Sequence, residues 1–200
     1  MILHSYIIVK RLVKNGDHLT AALMLLRVAK NIQQFPAHIV PILTSAVIEC
    51  QRAKLSAEAY QYACTLMRPE HRQSISEQYK RKIENIVRKQ PAEESKESGE
   101  ESTACMYCGF VLLASQLDCP NCKNISPFCI VTGMRMVKED WSYCPHCLFA
   151  AKRSQLLLVA QEVGECPMCS HALTTAEVPS VADPSSAIAE YKSLFQMREV

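Results

Sequence analysis

The residues with the clearest chemistry in this chain are cysteines that recur in pairs through its second half. Four pairs have the spacing Cys-x-x-Cys: Cys105/Cys108, Cys119/Cys122, Cys144/Cys147 and Cys166/Cys169. Two residues between cysteines let one tight turn direct both sulfurs at one ion, and backbone N–H groups can then hydrogen-bond to the thiolates. Because two pairs supply one tetrahedral Zn(Cys)4 site, the sequence predicts two zinc ions with these eight cysteines as ligands.

Other uses of paired cysteines fit the sequence less well. Disulfides need an oxidising compartment and normally a secretion signal, but the basic residues Lys10 and Arg11 follow the N-terminal apolar stretch instead of preceding it. A thioredoxin-type redox centre would be a single motif in a βαβ setting. An iron–sulfur cluster also uses four cysteines and stays open as an alternative. We therefore expect a reduced, cytosolic, zinc-binding chain.

The pairs can share two ions in two ways. In sequential pairing the first pair joins the second, with residues 109–118 forming a short hairpin, and the third pair joins the fourth. In a cross-brace, as in RING domains, the first joins the third and the second joins the fourth. We favour sequential pairing because the first gap closes the shorter loop at a lower entropic cost. Both sites are then complete and structural, so Cys129, His146 and His171 are expected to lie outside them, with Cys129 buried as a small apolar side chain.

Helical periodicity dominates the first half of the chain. The apolar spacing, the Asn15-Gly16 stop and the capping residues Asp17 and Ser56 predict five helices. They cover approximately residues 2–14, 17–29, 37–53, 56–67 and 76–88. Helix pairs of this length are typical of a tetratricopeptide-like α-solenoid, although an ordinary helical bundle has the same pattern. We therefore predict a mainly α fold: the end of such a solenoid, followed by small zinc-ribbon or zinc-finger modules.

Composition divides the chain into five segments. Residues 1–89 are the helical repeats, and residues 90–103 are an acidic, flexible linker without an apolar face. The first zinc module covers residues 104–128 and the second covers residues 129–176. The tail, residues 177–200, contains a possible short amphipathic helix that either folds back over the second zinc site, which we favour, or docks on a partner. Because the chain starts abruptly among helices, we expect a C-terminal fragment or a short isoform of a longer protein.

The net charge of +2 is unevenly distributed. Residues 1–90 carry 14 Lys and Arg against 6 Asp and Glu, residues 91–104 carry 1 against 5, and residues 105–200 carry 7 against 9. Four thiolates around each Zn²⁺ add about −2 per site, so the loaded zinc region would be still more acidic. An acidic region is a poor partner for phosphate backbones, which disfavours nucleic-acid binding.

Several short stretches resemble the C-terminal end of the WD-repeat subunits of intraflagellar transport complex A. They are residues 35–43 (Phe-Pro-Ala-His-Ile-Val-Pro-Ile-Leu), 66–70 (Leu-Met-Arg-Pro-Glu), 129–133 (Cys-Ile-Val-Thr-Gly), Asp140-Trp141 and 144–147 (Cys-Pro-His-Cys). The family's plan is N-terminal β-propellers, a tetratricopeptide solenoid and C-terminal zinc-binding modules. This chain departs from that plan because it has no propeller and only a few solenoid helices.

The resemblance implies a non-enzymatic scaffold subunit that acts in retrograde ciliary transport and cilium assembly. Its partners would be the other subunits of complex A, and its location the cytoplasm and the cilium, at the basal body and axoneme. No Ser-His-Asp set, phosphate loop or paired-carboxylate motif is evident, so we expect no catalysis and no small-molecule substrate. No apolar run is long enough for direct membrane insertion. Two alternatives stay open: a cross-braced RING-type ubiquitin ligase and a zinc-finger nucleic-acid binder.

Overall fold

The computed structural model describes residues 2–89 and 100–196. The chain forms two compact units, with the boundary between Glu100 and Glu101. We call them the helical unit and the cysteine-rich unit, and each has its own hydrophobic core. None of the described helices is both long enough and apolar enough to cross a lipid bilayer.

Six α-helices make up the helical unit in the part of it that the structure describes. They are α1 (Ile2–Lys14), α2 (His18–Lys30), α3 (Ile39–Arg52), α4 (Ser56–Leu66), α5 (Pro69–Arg72) and α6 (Glu77–Arg88). Local sequence signals set several of their ends. Gly16 has φ +79° and ends the turn after α1, and Asp17 Oδ1 accepts a hydrogen bond from the Thr20 backbone N–H at 3.0 Å, which caps α2.

The five longer helices of this unit pack against one another in the order of the chain. Helix α1 contacts α2, α2 contacts α3, α3 contacts α4, and α4 contacts α6. Fully buried alanines, such as Ala22, Ala46 and Ala59, let the helices approach closely, and larger side chains such as Leu25 and Ile83 fill the core. The helical character predicted for this half of the chain is therefore observed.

The structure differs from the predicted helices at three points. Helix α3 starts later than expected, because a 3₁₀ turn at Pro36–His38 precedes it. Ser56 is the first residue of α4 instead of its cap, and the Leu55 backbone N–H bonds to the Cys50 carbonyl oxygen at 2.8 Å, which closes the turn through the backbone. The four-residue helix α5 (Pro69–Arg72) was not predicted, since it is too short to show periodicity.

The cysteine-rich unit contains two small antiparallel hairpins and two described helices. Strands β1 (Ser102–Ala104) and β2 (Val111–Leu113) form one hairpin, and β3 (Trp141–Tyr143) and β4 (Ala150–Lys152) form the other. The helices are α7 (Arg153–Glu162) and α8 (Ser185–Gln196). Strand β1 begins within the segment that we expected to be linker, and Thr103 pairs with Leu112 there.

One hydrophobic cluster connects most of the cysteine-rich unit. Trp141 from β3, Ala151 from β4 and Leu156 from α7 lie in it together with the cysteines Cys144 and Cys166. The tail also contributes, because Ile188 of α8 is buried in the same cluster. The Ser142 hydroxyl donates a hydrogen bond to the Pro179 carbonyl oxygen at 2.8 Å, which fastens the chain before α8 to β3. The third and fourth cysteine pairs are therefore set in a packed core.

Candidate metal centres

Each cysteine pair lies on a turn with the same backbone hydrogen bonds, which we call a cysteine turn. The backbone N–H of the first cysteine donates to the carbonyl oxygen five residues later, as from Cys105 to Phe110 at 2.8 Å. The residue four positions after that cysteine donates back to its carbonyl oxygen, as from Gly109 to Cys105 at 2.9 Å. That fourth residue has a positive φ in every pair: Gly109 (75°), Lys123 (59°), Leu148 (60°) and Ser170 (59°).

The eight predicted ligands come together in two groups of four. The first cysteine group is Cys105, Cys108, Cys119 and Cys122, and the second cysteine group is Cys144, Cys147, Cys166 and Cys169. Within each group all sulfur atoms lie within 4.8 Å of one another. The structure therefore joins the first pair to the second and the third pair to the fourth, which is the sequential arrangement.

The sulfur separations fit one metal ion per group. The Sγ atoms of Cys105 and Cys122 are 3.8 Å apart, and those of Cys144 and Cys169 are 3.9 Å apart. A tetrahedral ion with metal–sulfur bonds of about 2.3 Å separates neighbouring sulfurs by about 3.8 Å. A disulfide would bring two sulfurs to about 2.05 Å, and all the cysteines are free. Each group is thus spaced for a single ion instead of a multi-iron cluster.

The surroundings of the first cysteine group give its thiols different acidities. Burial raises the pKa of the Cys105 thiol to about 11. Hydrogen bonds from the Phe110 backbone N–H and from the Asn121 side-chain amide lower the pKa of the exposed Cys108 thiol to about 6. The N–H donors at Cys108 favour its thiolate, which is the form that binds a metal, whereas burial opposes ionisation of Cys105.

A fifth cysteine turn has the same backbone geometry but lacks the second cysteine. The Cys129 backbone N–H donates to the Met134 carbonyl oxygen at 2.8 Å, and the Gly133 N–H donates back to Cys129 at 2.7 Å, with φ +74° at Gly133. Thr132 occupies the position where the other turns have their second cysteine. Cys129 is fully buried and outside both groups, as expected, and its Sγ accepts a hydrogen bond from the Lys152 backbone N–H at 3.2 Å.

Arg135 follows the fifth turn and is 1% exposed. Its guanidinium donates hydrogen bonds to the carbonyl oxygens of Thr103 at 2.7 Å, Leu112 at 3.2 Å and Gln116 at 3.3 Å. Its backbone N–H donates to the Ala114 carbonyl oxygen at 2.8 Å. The segment after residue 128 is therefore bonded directly to the hairpin that carries the first cysteine group. Sequence reasoning did not identify Arg135, because arginine is usually a surface residue.

The two histidines near the cysteine turns lie outside the sulfur groups. The rings of His146 and His171 stack on each other, with centroids 4.8 Å apart and an interplanar angle of 19°. Four sulfurs complete each group, which leaves no position for a water molecule or a substrate. Among the described residues, no further set of three or more His, Cys, Asp or Glu side chains is placed to hold a metal. An ion held by four sulfurs in this way would have a closed coordination shell, which is the arrangement of structural sites.

Comparison with known proteins connects this architecture to a group of relatives. No family model matches the chain. The chain is 51% identical over 183 residues to human WD repeat-containing protein 19, and 50% identical over 185 residues to the mouse protein of that name, which in each case is 92% of the chain. It is 44% identical over 169 residues, 84% of the chain, to WD repeat-containing protein dyf-2 of Caenorhabditis elegans.

These relatives are much longer than the chain, which spans only 13%, 14% and 12% of their respective lengths. None of their names describes an enzyme. Because the aligned region covers 92% of the chain, the helical unit and the cysteine-rich unit are both similar to the same relatives. Over most of its length, the chain is a homologue of a C-terminal part of WD repeat-containing protein 19 and dyf-2.

Proposed function

We propose that each cysteine group binds one structural zinc ion. The observation that supports this assignment is the tetrahedral spacing of four sulfurs on paired turns, with backbone N–H donors directed at the sulfurs. Zinc prefers four thiolates in closed structural sites, and bound zinc would supply only rigidity here. The first group would then hold the β1–β2 hairpin, and the second would hold the turns around Trp141.

We further propose that the chain is part of a scaffold subunit of intraflagellar transport complex A. The observation that carries this proposal is the 51% identity to human WD repeat-containing protein 19 over 92% of the chain. The helical unit would be the end of a tetratricopeptide-like solenoid, and the zinc-ribbon modules would present rigid surfaces to sister subunits in cilia. Rigid surfaces reduce the ordering cost of association, which suits a docking role.

The ubiquitin-ligase alternative has less support in this geometry. A RING-type cross-brace needs the first cysteine pair to share an ion with the third pair. The sulfurs of the first pair instead lie beside those of the second, with Cys108 Sγ 3.6 Å from Cys119 Sγ. The nucleic-acid alternative conflicts with the acidic balance of residues 105–200, which carry 7 basic and 9 acidic side chains before any metal is bound.

The test combines zinc measurement with capture of complex A subunits. The wild-type chain and the variants Cys144→Ser and Cys64→Ser would be purified, analysed for zinc and used to capture the subunits. Cys64 is a matched control because it is a cysteine of the helical unit outside both groups. We expect two zinc ions in the wild type and in Cys64→Ser, fewer in Cys144→Ser, and capture that weakens only in Cys144→Ser. Normal zinc content without any capture would contradict docking through this part of the protein.

A further inference from the structure

A groove of about 570 Å³ opens on the helical unit between α1, α3 and α6. Most of its lining surface is apolar, although serine, threonine and tyrosine side chains also line it. We call the aliphatic lining residues its floor: Val9 and Val13 of α1 and Val40, Pro41 and Ile48 of α3. Binding pockets for ligand-sized groups are commonly about 300–1,000 Å³. The groove is therefore large enough to take several side chains of an extended or helical peptide segment.

Positive charge surrounds this apolar floor. Lys10, Arg52 and Lys82 line the groove, against one carboxylate, Glu49. The Glu49 carboxylate already accepts from Arg52 Nη1 at 2.9 Å and lies 2.7 Å from His18 Nδ1, and its side chain is 8% exposed. Its charge is therefore compensated within the unit, and it contributes little repulsion to an incoming anion.

The two lysines are available to a partner. Both Lys10 and Lys82 are exposed, and neither forms an ion pair with the residues that the structure describes. Lys10 Nζ lies 4.9 Å from the centre of the Tyr6 ring, which keeps the ammonium group at the edge of the groove. The whole segment 1–90 is also basic, with 14 Lys and Arg against 6 Asp and Glu. A negatively charged partner would thus be attracted to the helical unit from many directions, before it contacts the groove.

We propose that this groove binds an acidic peptide segment of a partner protein, with its apolar side chains on the valine floor and its carboxylates at Lys10 and Lys82. An apolar floor does not fit a phosphate backbone, which needs cations along its path instead. The proposal is independent of zinc binding and of membership in complex A, because the groove belongs to the helical unit alone.

Fluorescence polarisation with defined probes tests the proposal on the full 200-residue chain loaded with zinc. The main probe is a short fluorescein-labelled peptide of alternating leucine and glutamate. One control peptide replaces glutamate with lysine, and the other replaces leucine with serine. We expect binding of the leucine–glutamate peptide that weakens with added salt, and at least about tenfold weaker binding of both controls.

Charge-reversal variants locate the site. Lys10→Glu combined with Lys82→Glu should weaken binding of the main probe at least about tenfold, because like charges would face each other at both positions. The matched control combines Lys14→Glu with Arg81→Glu, which lie on the same two helices, are exposed and do not line the groove. Both variants change the net charge equally, so a loss that came only from long-range attraction would be the same in both. The control should therefore lose much less affinity than the groove variant.

A second variant tests the groove without changing charge. Ser45→Phe places a ring in the groove, where Ser45 is a half-buried lining residue, and should reduce binding of the main probe similarly. Circular dichroism would establish that each variant keeps its helices. The proposal is overturned if the main probe does not bind, if the control variant loses as much affinity, or if the serine peptide binds equally well. Anionic lipid vesicles that bind in place of the peptide and depend on Lys10 and Lys82 would also overturn it.

Discussion

The Arg135 guanidinium donates a hydrogen bond to the Thr103 carbonyl oxygen at 2.7 Å, across 32 positions of the sequence. This contact joins the fifth cysteine turn to strand β1, whose end leads into the first cysteine group. A buried guanidinium that donates to several carbonyl oxygens fixes the backbone segments that carry them. The hairpin of the first group is thus positioned by Arg135 as well as by its sulfurs.

Replacing Arg135 should therefore destabilise the cysteine-rich unit. Arg135→Met keeps a long side chain of similar reach but loses three hydrogen bonds to carbonyl oxygens. We expect a loss of about 3 kcal/mol in the free energy of unfolding, typical of removing a buried, hydrogen-bonded charge. Chemical denaturation of the zinc-loaded chain measures this loss. Arg153→Met, a change at a second arginine of the same unit, is the control, and an equal loss there would contradict a special role for Arg135.

Cys129 should be dispensable for metal binding although it lies on a cysteine turn. Its sulfur accepts hydrogen bonds from the backbone N–H groups of Lys152 at 3.2 Å and Val131 at 3.4 Å. Cys129→Ala should leave the zinc content unchanged and cost about 1–2 kcal/mol of stability, because a small buried group and its contacts are lost. Zinc analysis and denaturation of the same sample test both statements. Loss of a whole zinc ion in this variant would show that Cys129 is a ligand.

The sequence anticipated the parts of the fold that depend on local signals. Asp17 caps α2 as predicted, and Gly16 ends the turn before it, since both act through their immediate neighbours. Helix α7 was not anticipated, because its consecutive leucines, Leu156 to Leu158, lack the spacing of a helix face. Its burial against β3 and β4 depends on the tertiary fold, which no local pattern contains.

The same distinction between local signals and long-range contacts applies to the candidate site. The spacing of the cysteines predicted both groups of four and their sequential order, because short loops close at the lower entropic cost. The fifth turn was overlooked, since Thr132 breaks the cysteine spacing, although Gly133 stands at the same offset as Gly109 in the first turn. Arg135 acts on partners far along the chain, and nothing adjacent to it in the sequence marks those partners.

Removing a ligand should affect the two cysteine groups differently. Cys144 belongs to the large core with Trp141, whereas Cys119 belongs to a small cluster with Cys105 and Leu112. Trp141 is the only tryptophan in the sequence and is 4% exposed, so its fluorescence reports on the large core. Cys144→Ser should shift Trp141 emission towards that of the unfolded chain, and Cys119→Ser should shift it much less. Each variant should lose one zinc ion.

The helical unit should survive either substitution, because its core contains none of the eight cysteines. Circular dichroism at the helix minimum provides the measurement, and the cooperative melt of the helices should persist in Cys144→Ser. Addition of a zinc chelator to the wild type should reproduce the Trp141 shift without loss of that melt. A chelator that removed zinc and left Trp141 emission unchanged would argue against a structural role for the metal.

The residue four positions after the first cysteine of each turn, which has a positive φ, allows a paired test of backbone strain. Gly109 has φ +75°, and a methyl group added to its Cα would meet no atom of the described residues within 4 Å apart from its neighbours in the chain. Leu148 has φ +60° and is 71% exposed. Gly109→Ala should cost about 1 kcal/mol through backbone strain alone, since nothing obstructs the new methyl group. Leu148→Gly should relieve strain and lose little packing, which would make the unit up to about 1 kcal/mol more stable. Chemical denaturation of both variants with zinc bound measures these changes in the free energy of unfolding. Changes of the same sign would mean that side-chain contacts, and not φ, control stability at this position.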